Sequence, residues 1–233
     1  MEPTLPNHFR GLRLPLPGAV GDYAQLGFAT PMVLAQLMIA SPLVVALRAL
    51  APAKQERVLK AWMRGVLLWS GVDLEVDGLE RLDPHGRYVF VSNHQSLFDV
   101  PCINTALPMP VRFVAKASLL KVPLFGAGMR AVGTVAIDRN DRAGSSRALQ
   151  AAREGIARTA SIHFFAEGTR HADGKMGPFK HGAASMALSL GVPLVPIAVS
   201  GTGTIFAKES LRLRPGRAHL AIGEPIPAEL LAK

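Results

Sequence analysis

From Leu74 to Ile222 short apolar runs alternate with stretches of helical pattern, and this alternation limits the fold more than any other feature. Apolar runs fall at 74–76, 88–92, 111–115, 132–137, 161–165, 194–199 and 217–222. Helical patterns fall near 97–106, 144–159 and 180–190. Strands alternating with helices need helices packed on the faces of a shared sheet, so the pattern predicts an α/β fold: layers of helix on a central mixed sheet. Residues 200–216, SGTGTIFAKESLRLRPG, read as a loop-rich excursion.

The chain before this region has a different texture. Residues 1–22 read as an irregular start with Pro3, Pro6, Pro15 and Pro17. No charge occurs from Tyr23 to Leu47, a run long enough to cross a bilayer, which needs about 20 apolar residues. Gln25, Gln36, Pro31 and Pro42 interrupt it, and Pro42 is expected to kink or end a helix. Arg48, Lys54, Arg57, Lys60 and Arg64 follow, set among Val58, Leu59, Trp62, Met63, Val66, Leu67, Leu68 and Trp69, in the pattern of a basic amphipathic helix. A transmembrane helix, a hairpin dipping into one leaflet and an ordinary buried helix all fit the pair. The uncharged run abutting a basic segment favours a membrane-embedded or interfacial placement. Ala49-Leu50-Ala51 resembles a signal-peptide cleavage site, but the apolar stretch is too long for one and Pro52 follows directly. The expected division is 1–70, a membrane-associating helical segment, and 71–233, the α/β domain.

A formal charge of +9 in 233 residues favours anionic partners. The basic residues do not interleave with aromatics on a strand, so a base-stacking nucleic-acid surface is unsupported, and no nucleic-acid partner is expected. Cys102 is the sole cysteine and cannot form an intrachain disulfide, which fits a reducing compartment.

One strand ends in a chemically loaded turn. Tyr88-Val89-Phe90-Val91 runs into Ser92-Asn93, then His94, with Asp99 five positions on in NHQSLFD. Ser96 is a good helix N-cap, and Asp99 then falls at the third helical position as a weak capping box. On one helix residues five apart lie about 140° apart and do not meet. His94 precedes the cap, however, and can fold back over the first turn. Asp99 can then accept from one imidazole nitrogen and leave the other as a base. Geometry alone leaves the capping and the catalytic readings level.

Three further blocks separate them: GTVAIDR at 133–139, FAEGTRHADGKMGPFKHGA at 165–183 and VPLVPIAVS at 192–200. The order and spacing of NHQSLFD, GTVAIDR, FAEGTR and VPLVP resemble the four blocks of the glycerolipid acyltransferase family, and within it the bacterial 1-acyl-sn-glycerol-3-phosphate acyltransferases. The resemblance covers about residues 75–225. It departs at Ala166, where the family usually has proline, a change that loosens a turn but removes no chemical group.

The resemblance implies roles. His94 would be the general base for the acceptor hydroxyl, and Asp99 would hold its tautomer and stabilise the imidazolium. No nucleophilic serine or cysteine is needed, and Cys102, in an apolar helix, reads as core. Arg170 matches the family's phosphate-binding arginine, with Arg139 and Lys116 adding to that pocket. Glu167 would orient Arg170 or the acceptor, Gly168 would permit a tight turn, and Thr169 completes the binding block. The implied reaction transfers an acyl chain from acyl-CoA or acyl-carrier protein to the sn-2 hydroxyl of lysophosphatidic acid, forming phosphatidic acid. No cofactor is implied. His163, His171 and His181 lack ligand spacing, so no metal site is expected. The implied location is a bacterial inner membrane, with the catalytic domain on the cytoplasmic face. Another lysophospholipid, glycerol 3-phosphate or a lyso-aminolipid would suit the same chemistry as acceptor. A non-catalytic lipid-binding membrane protein is a further alternative, against which the intact His94, Asp99, Glu167 and Arg170 argue.

Overall fold

Val89–Ser92 joins β-branched and aromatic side chains, a composition that fits a pleated, buried surface, and it forms a central strand of the sheet. The computed structural model describes residues 7–14, 18–138, 141–170, 176–208 and 213–232. Among these the strands are β1 (His8–Phe9), β2 (Val72–Asp77), β3 (Val89–Ser92), β4 (Val111–Lys116), β5 (Val135–Ile137), β6 (Ser161–Phe165), β7 (Leu194–Ser200) and β8 (Gly216–Ile222). They form one sheet in the order β1-β2-β8-β7-β3-β6-β4-β5. Strand β3 is parallel to β6 and β7, and β4 is parallel to β5 and β6. The carboxyl ends of β3, β4, β5, β6 and β7 therefore share one edge. Strand β8 runs antiparallel to β7 and parallel to β2, so the sheet is mixed, as the pattern predicts.

The helices are α1 (Gly18–Leu50), α2 (Pro52–Trp69), α3 (Asp99–Ala106), α4 (Phe125–Ala131), α5 (Arg142–Thr159), α6 (Gly182–Leu190) and α7 (Thr202–Ile205). Alternation along β3 divides the core. Val89 joins Ile162, Phe164, Ala183, Met186 and Ala187 on the α6 side. Phe90 joins Leu67, Cys102, Ile103 and Leu107 on the α2–α3 side. The fully buried Val89, Phe90, Ile103, Leu107 and Ile162 among them each contribute about 1.5–3 kcal/mol.

The expected hydrophobic helix pair is present as α1 and α2, which pack on one another. Two expectations for this region are corrected. The start is not wholly irregular: His8–Phe9 pairs with β2, and α1 begins at Gly18. Pro42 does not end α1, which runs through both Pro31 and Pro42. A proline costs about 3 kcal/mol inside a helix, and contacts on both sides of Pro42 offset that cost. Ala40, Ser41 and Val44 are buried, Ser41 Oγ donates to Leu124 O at 3.0 Å, and Arg48 donates to Ala131 O at 2.8 Å. The Gly21–Leu50 portion, 30 residues of hydropathy 1.9, is long and apolar enough to cross a membrane. Its Met38, Ile39 and Leu50 are 63%, 69% and 83% exposed. Helix α2 opens on Pro52, whose missing N–H suits a first turn. It buries Leu59 and Leu67, and its Lys60 ammonium donates to the carbonyls of Leu107 and Pro108 just past α3.

Candidate active site

The turn after β3 carries the site. Asp99 is the first residue of α3, its side chain fully buried. One oxygen, Oδ2, lies 2.7 Å from His94 Nδ1 and accepts the backbone N–H groups of Gln95 at 2.7 Å and Ser96 at 3.0 Å. With Asp99 ionised, that oxygen fixes the Nδ1–H tautomer and leaves Nε2 as the free acceptor. The His94 side chain is 13% exposed, so the ring is held against the protein but reachable.

The expected cap is corrected: α3 begins at Asp99 with Phe98 at its N-cap, so Asp99 stands at the first helical position and Ser96 lies in the turn before the helix. There Ser96 N–H donates to Asp99, and Ser96 Oγ accepts the N–H of Phe98 at 3.2 Å. Ser96 Oγ also donates to Phe206 O at 2.7 Å, tying the turn to the segment after α7. These turn contacts curl the chain so that His94 meets the same carboxylate. Cys102, one turn further, is fully buried. Burial pushes its thiol well above the usual range, and the Asp99 charge pushes it further, so it is core, as expected.

Two neighbours hold the turn in place. Asn93 donates its side-chain amide to Val199 O at 2.8 Å and accepts Val199 N–H at 2.8 Å, clasping the end of β3 to β7. Glu167, just after β6, accepts the N–H of His94 at 3.1 Å with one oxygen and that of Gly177 at 2.8 Å with the other. Glu167 is 5% exposed. Expected to orient Arg170 or the acceptor, this carboxylate also braces the histidine turn directly.

Gly168 adopts φ +69°, a left-handed conformation in which a Cβ would also approach Lys180 Nζ to 3.0 Å, so the expected tight turn is present. Thr169 is exposed and Arg170 half-buried at the same strand end. Lys116 is the last residue of β4 and exposed. His94, Asp99 and Glu167 are thus joined by hydrogen bonds, while Lys116, Gly168, Thr169 and Arg170 occupy neighbouring strand ends on that edge. Arg139 lies outside the described residues.

Sequence reasoning gave no role to three side chains here. Asn93 stood inside the quoted motif, but nothing in its spacing signals a bond to residue 199. Phe165 read only as strand, yet its ring lies parallel to that of His94 with centroids 3.6 Å apart. His163, weighed only as a metal ligand, is fully buried beneath the site, and neither ring nitrogen has a hydrogen-bond partner among the described residues. Burial, and then the charge of His94, lower its pKa to about 3, so it is neutral at physiological pH.

Known proteins and a family model resemble the chain. A family model described as Acyltransferase matches residues 73–200. A 1-acyl-sn-glycerol-3-phosphate acyltransferase of Chlamydomonas reinhardtii is 34% identical over 209 residues, covering 86% of this chain and 62% of that protein. A chloroplastic 1-acyl-sn-glycerol-3-phosphate acyltransferase of Brassica napus is 35% identical over 167 residues, covering 68% and 48%. The chain thus spans about half to three fifths of these relatives' lengths. The crystal structure of the 1-acyl-sn-glycerophosphate acyltransferase from Thermotoga maritima superposes with a TM-score of 0.76 at 25% identity, covering 90% of this chain and 87% of that one. The family match runs from β2 to the end of β7 and takes in the His94–Asp99 pair and the Glu167 turn, and the chain belongs to the acyltransferase family.

Proposed function

We propose that the protein transfers an acyl chain from acyl-CoA or acyl-carrier protein to the sn-2 hydroxyl of lysophosphatidic acid, giving phosphatidic acid. The observation that carries this reading is the 2.7 Å contact between His94 Nδ1 and Asp99 Oδ2 at the carboxyl edge of the parallel strands. The activity named for the three relatives above supports the acceptor.

The chemistry is direct transfer. His94 Nε2 takes the proton of the acceptor hydroxyl as its oxygen attacks the thioester carbonyl carbon. The C–S bond then breaks, and the departing thiolate receives that proton from the imidazolium. Asp99 stabilises the imidazolium between these steps. Base catalysis of this kind contributes about 10²–10⁴-fold. Arg170 and Lys116 bind the acceptor phosphate, Arg139 is a further candidate ligand for it, and each charge-assisted bond contributes ~1.5–3 kcal/mol. Glu167, Gly168 and Thr169 shape the turn that presents Arg170.

Residues 1–70 form the membrane-associating segment and residues 71–233 the catalytic domain. The outward Met38, Ile39 and Leu50 of α1 and the exposed Lys54 and Arg57 of α2 support an anchor at a bilayer surface. That surface is the cytoplasmic face of a bacterial inner membrane, where acyl donors are made and where positive charge is retained.

An acceptor panel tests the reading. Labelled acyl-CoA and acyl-carrier protein are each offered with lysophosphatidic acid, other lysophospholipids, glycerol 3-phosphate and a lyso-aminolipid, and products are separated by lipid chromatography. The reading requires labelled phosphatidic acid as the main product. Preferential labelling of another acceptor, or of none, overturns it.

A further inference from the structure

We propose that Phe165 is a positioning residue for the base, one that fixes the plane of the His94 imidazole and steadies its protonated form. The inference rests on the reading of His94 as general base. The two rings lie face to face, with centroids 3.6 Å apart and planes inclined by 16°. Asp99 fixes one ring nitrogen of His94 but leaves the ring free to tilt about that single contact. A flat aromatic face beneath the imidazole removes the tilt and so aims Nε2.

The same face acts at the charged stage. When His94 takes the hydroxyl proton, the positive charge forms over the π-surface of Phe165, an attraction that an aliphatic side chain of similar bulk cannot supply. Phe165 is itself held. The His163 ring meets it edge-on, with centroids 4.7 Å apart and planes at 71°, and Phe113 stacks at 6.4 Å. Among the described residues, Asp99 from α3, Glu167 from the turn after β6 and His163 from β6 face His94. Two are carboxylates, and His163 stays neutral, so His163 adds no positive charge beside the imidazolium. Phe165 closes β6 immediately before the Ala166-Glu167-Gly168 turn. The strand that carries Glu167 to the backbone of His94 thus also carries the ring that braces its side chain.

Phe165→Leu and Phe165→Tyr in the full chain, in detergent micelles, test this. Steady-state rates give kcat and the KM values for lysophosphatidic acid and acyl-CoA, and thermal melts establish that each variant is folded. Proton NMR of the imidazole reports the stack without reference to activity, with His94 assigned by the loss of its signals in His94→Asn. Phe165→Leu is expected to lower kcat roughly tenfold while leaving both KM values within about twofold, and Phe165→Tyr to stay within about twofold of the parent in all three. The His94 ring protons are expected upfield in the parent and in Phe165→Tyr, and shifted downfield in Phe165→Leu. A Phe165→Leu variant with parental kcat, a Phe165→Tyr variant as slow as Phe165→Leu, or His94 signals unchanged in Phe165→Leu would each overturn the proposal. A parent chain that acylates no acceptor overturns the proposed function alone, and the NMR comparison still decides whether the stack exists.

Discussion

Glu167 accepts the backbone N–H of His94 at 3.1 Å, so the acidic residue of the Glu-Gly-Thr-Arg turn holds the other half of the site in place. Its second oxygen holds Gly177 at 2.8 Å. Glu167→Ala strands two backbone donors, each costing about 1–3 kcal/mol where water cannot reach. The expected loss is roughly 2–6 kcal/mol in denaturant unfolding, with turnover falling because the His94 turn loosens. Glu167→Gln keeps one acceptor and is expected to fall between parent and Glu167→Ala in both measurements. A stable, fully active Glu167→Ala variant would show that the brace is dispensable.

Asn93 is expected to act on turnover rather than on substrate binding. Its side chain replaces a rung of the ladder between β3 and β7 through two 2.8 Å bonds to Val199, and its backbone leads straight into His94. Asn93→Ala should cost about 1–2 kcal/mol of stability and lower kcat roughly tenfold, with KM for lysophosphatidic acid little changed. Asn93→Asp loses the donor and is expected to be nearly as slow. An increase confined to KM would instead place Asn93 against the acceptor.

How much of this was legible beforehand depended on which residues carried the signal. The sheet was readable because Val89, Phe90, Ile162 and Val195 sit in short apolar runs, and strands buried on both faces favour such runs. Helix α4 was not, because Gly126 and Gly128 spoil the helical pattern of FGAGMRA. Gly128 is needed there: a Cβ would meet Ser41 Oγ of α1 at 2.3 Å. Passage of α1 through Pro42 was hidden for the same reason, since contacts with α4 decide it. The His94–Asp99 pair was readable as a spacing, but its carboxylate's three donors and the Phe165 stack arise from folding and leave no period in the sequence.

Buried His163 makes the fold acid-sensitive. In the folded chain its pKa is lowered to about 3. In the unfolded chain it titrates near the ordinary value, about 6.5. Its contribution is fully present above pH ~6.5. As pH falls from there toward 3 the unfolded state binds a proton that the folded state does not, and stability drops by up to about 1.4 kcal/mol per pH unit. His163→Leu removes this term along with two buried nitrogens that have no partner among the described residues. Urea unfolding at pH 7 and pH 5 should show a shallower pH dependence for His163→Leu than for the parent. An identical dependence would mean that His163 titrates alike in both states.

Cys102 should be chemically silent. Burial raises its thiol pKa first and the Asp99 charge adds to that, so the thiolate that alkylating reagents require is scarce. The folded protein is expected to resist iodoacetamide at pH 8 and to label once unfolded in urea. Cys102→Ala should keep at least half of parental turnover, since direct transfer uses no thiol. Loss of activity in a folded Cys102→Ala variant would point to a covalent acyl-enzyme step.

The most direct test of the account is the turnover of purified, folded His94→Ala with lysophosphatidic acid and its acyl donor. The imidazole held 2.7 Å from Asp99 is assigned the whole of the base catalysis, so turnover should fall at least ~10²-fold, with melting temperature and membrane association retained. A folded His94→Ala protein that keeps more than about a tenth of parental turnover would contradict it.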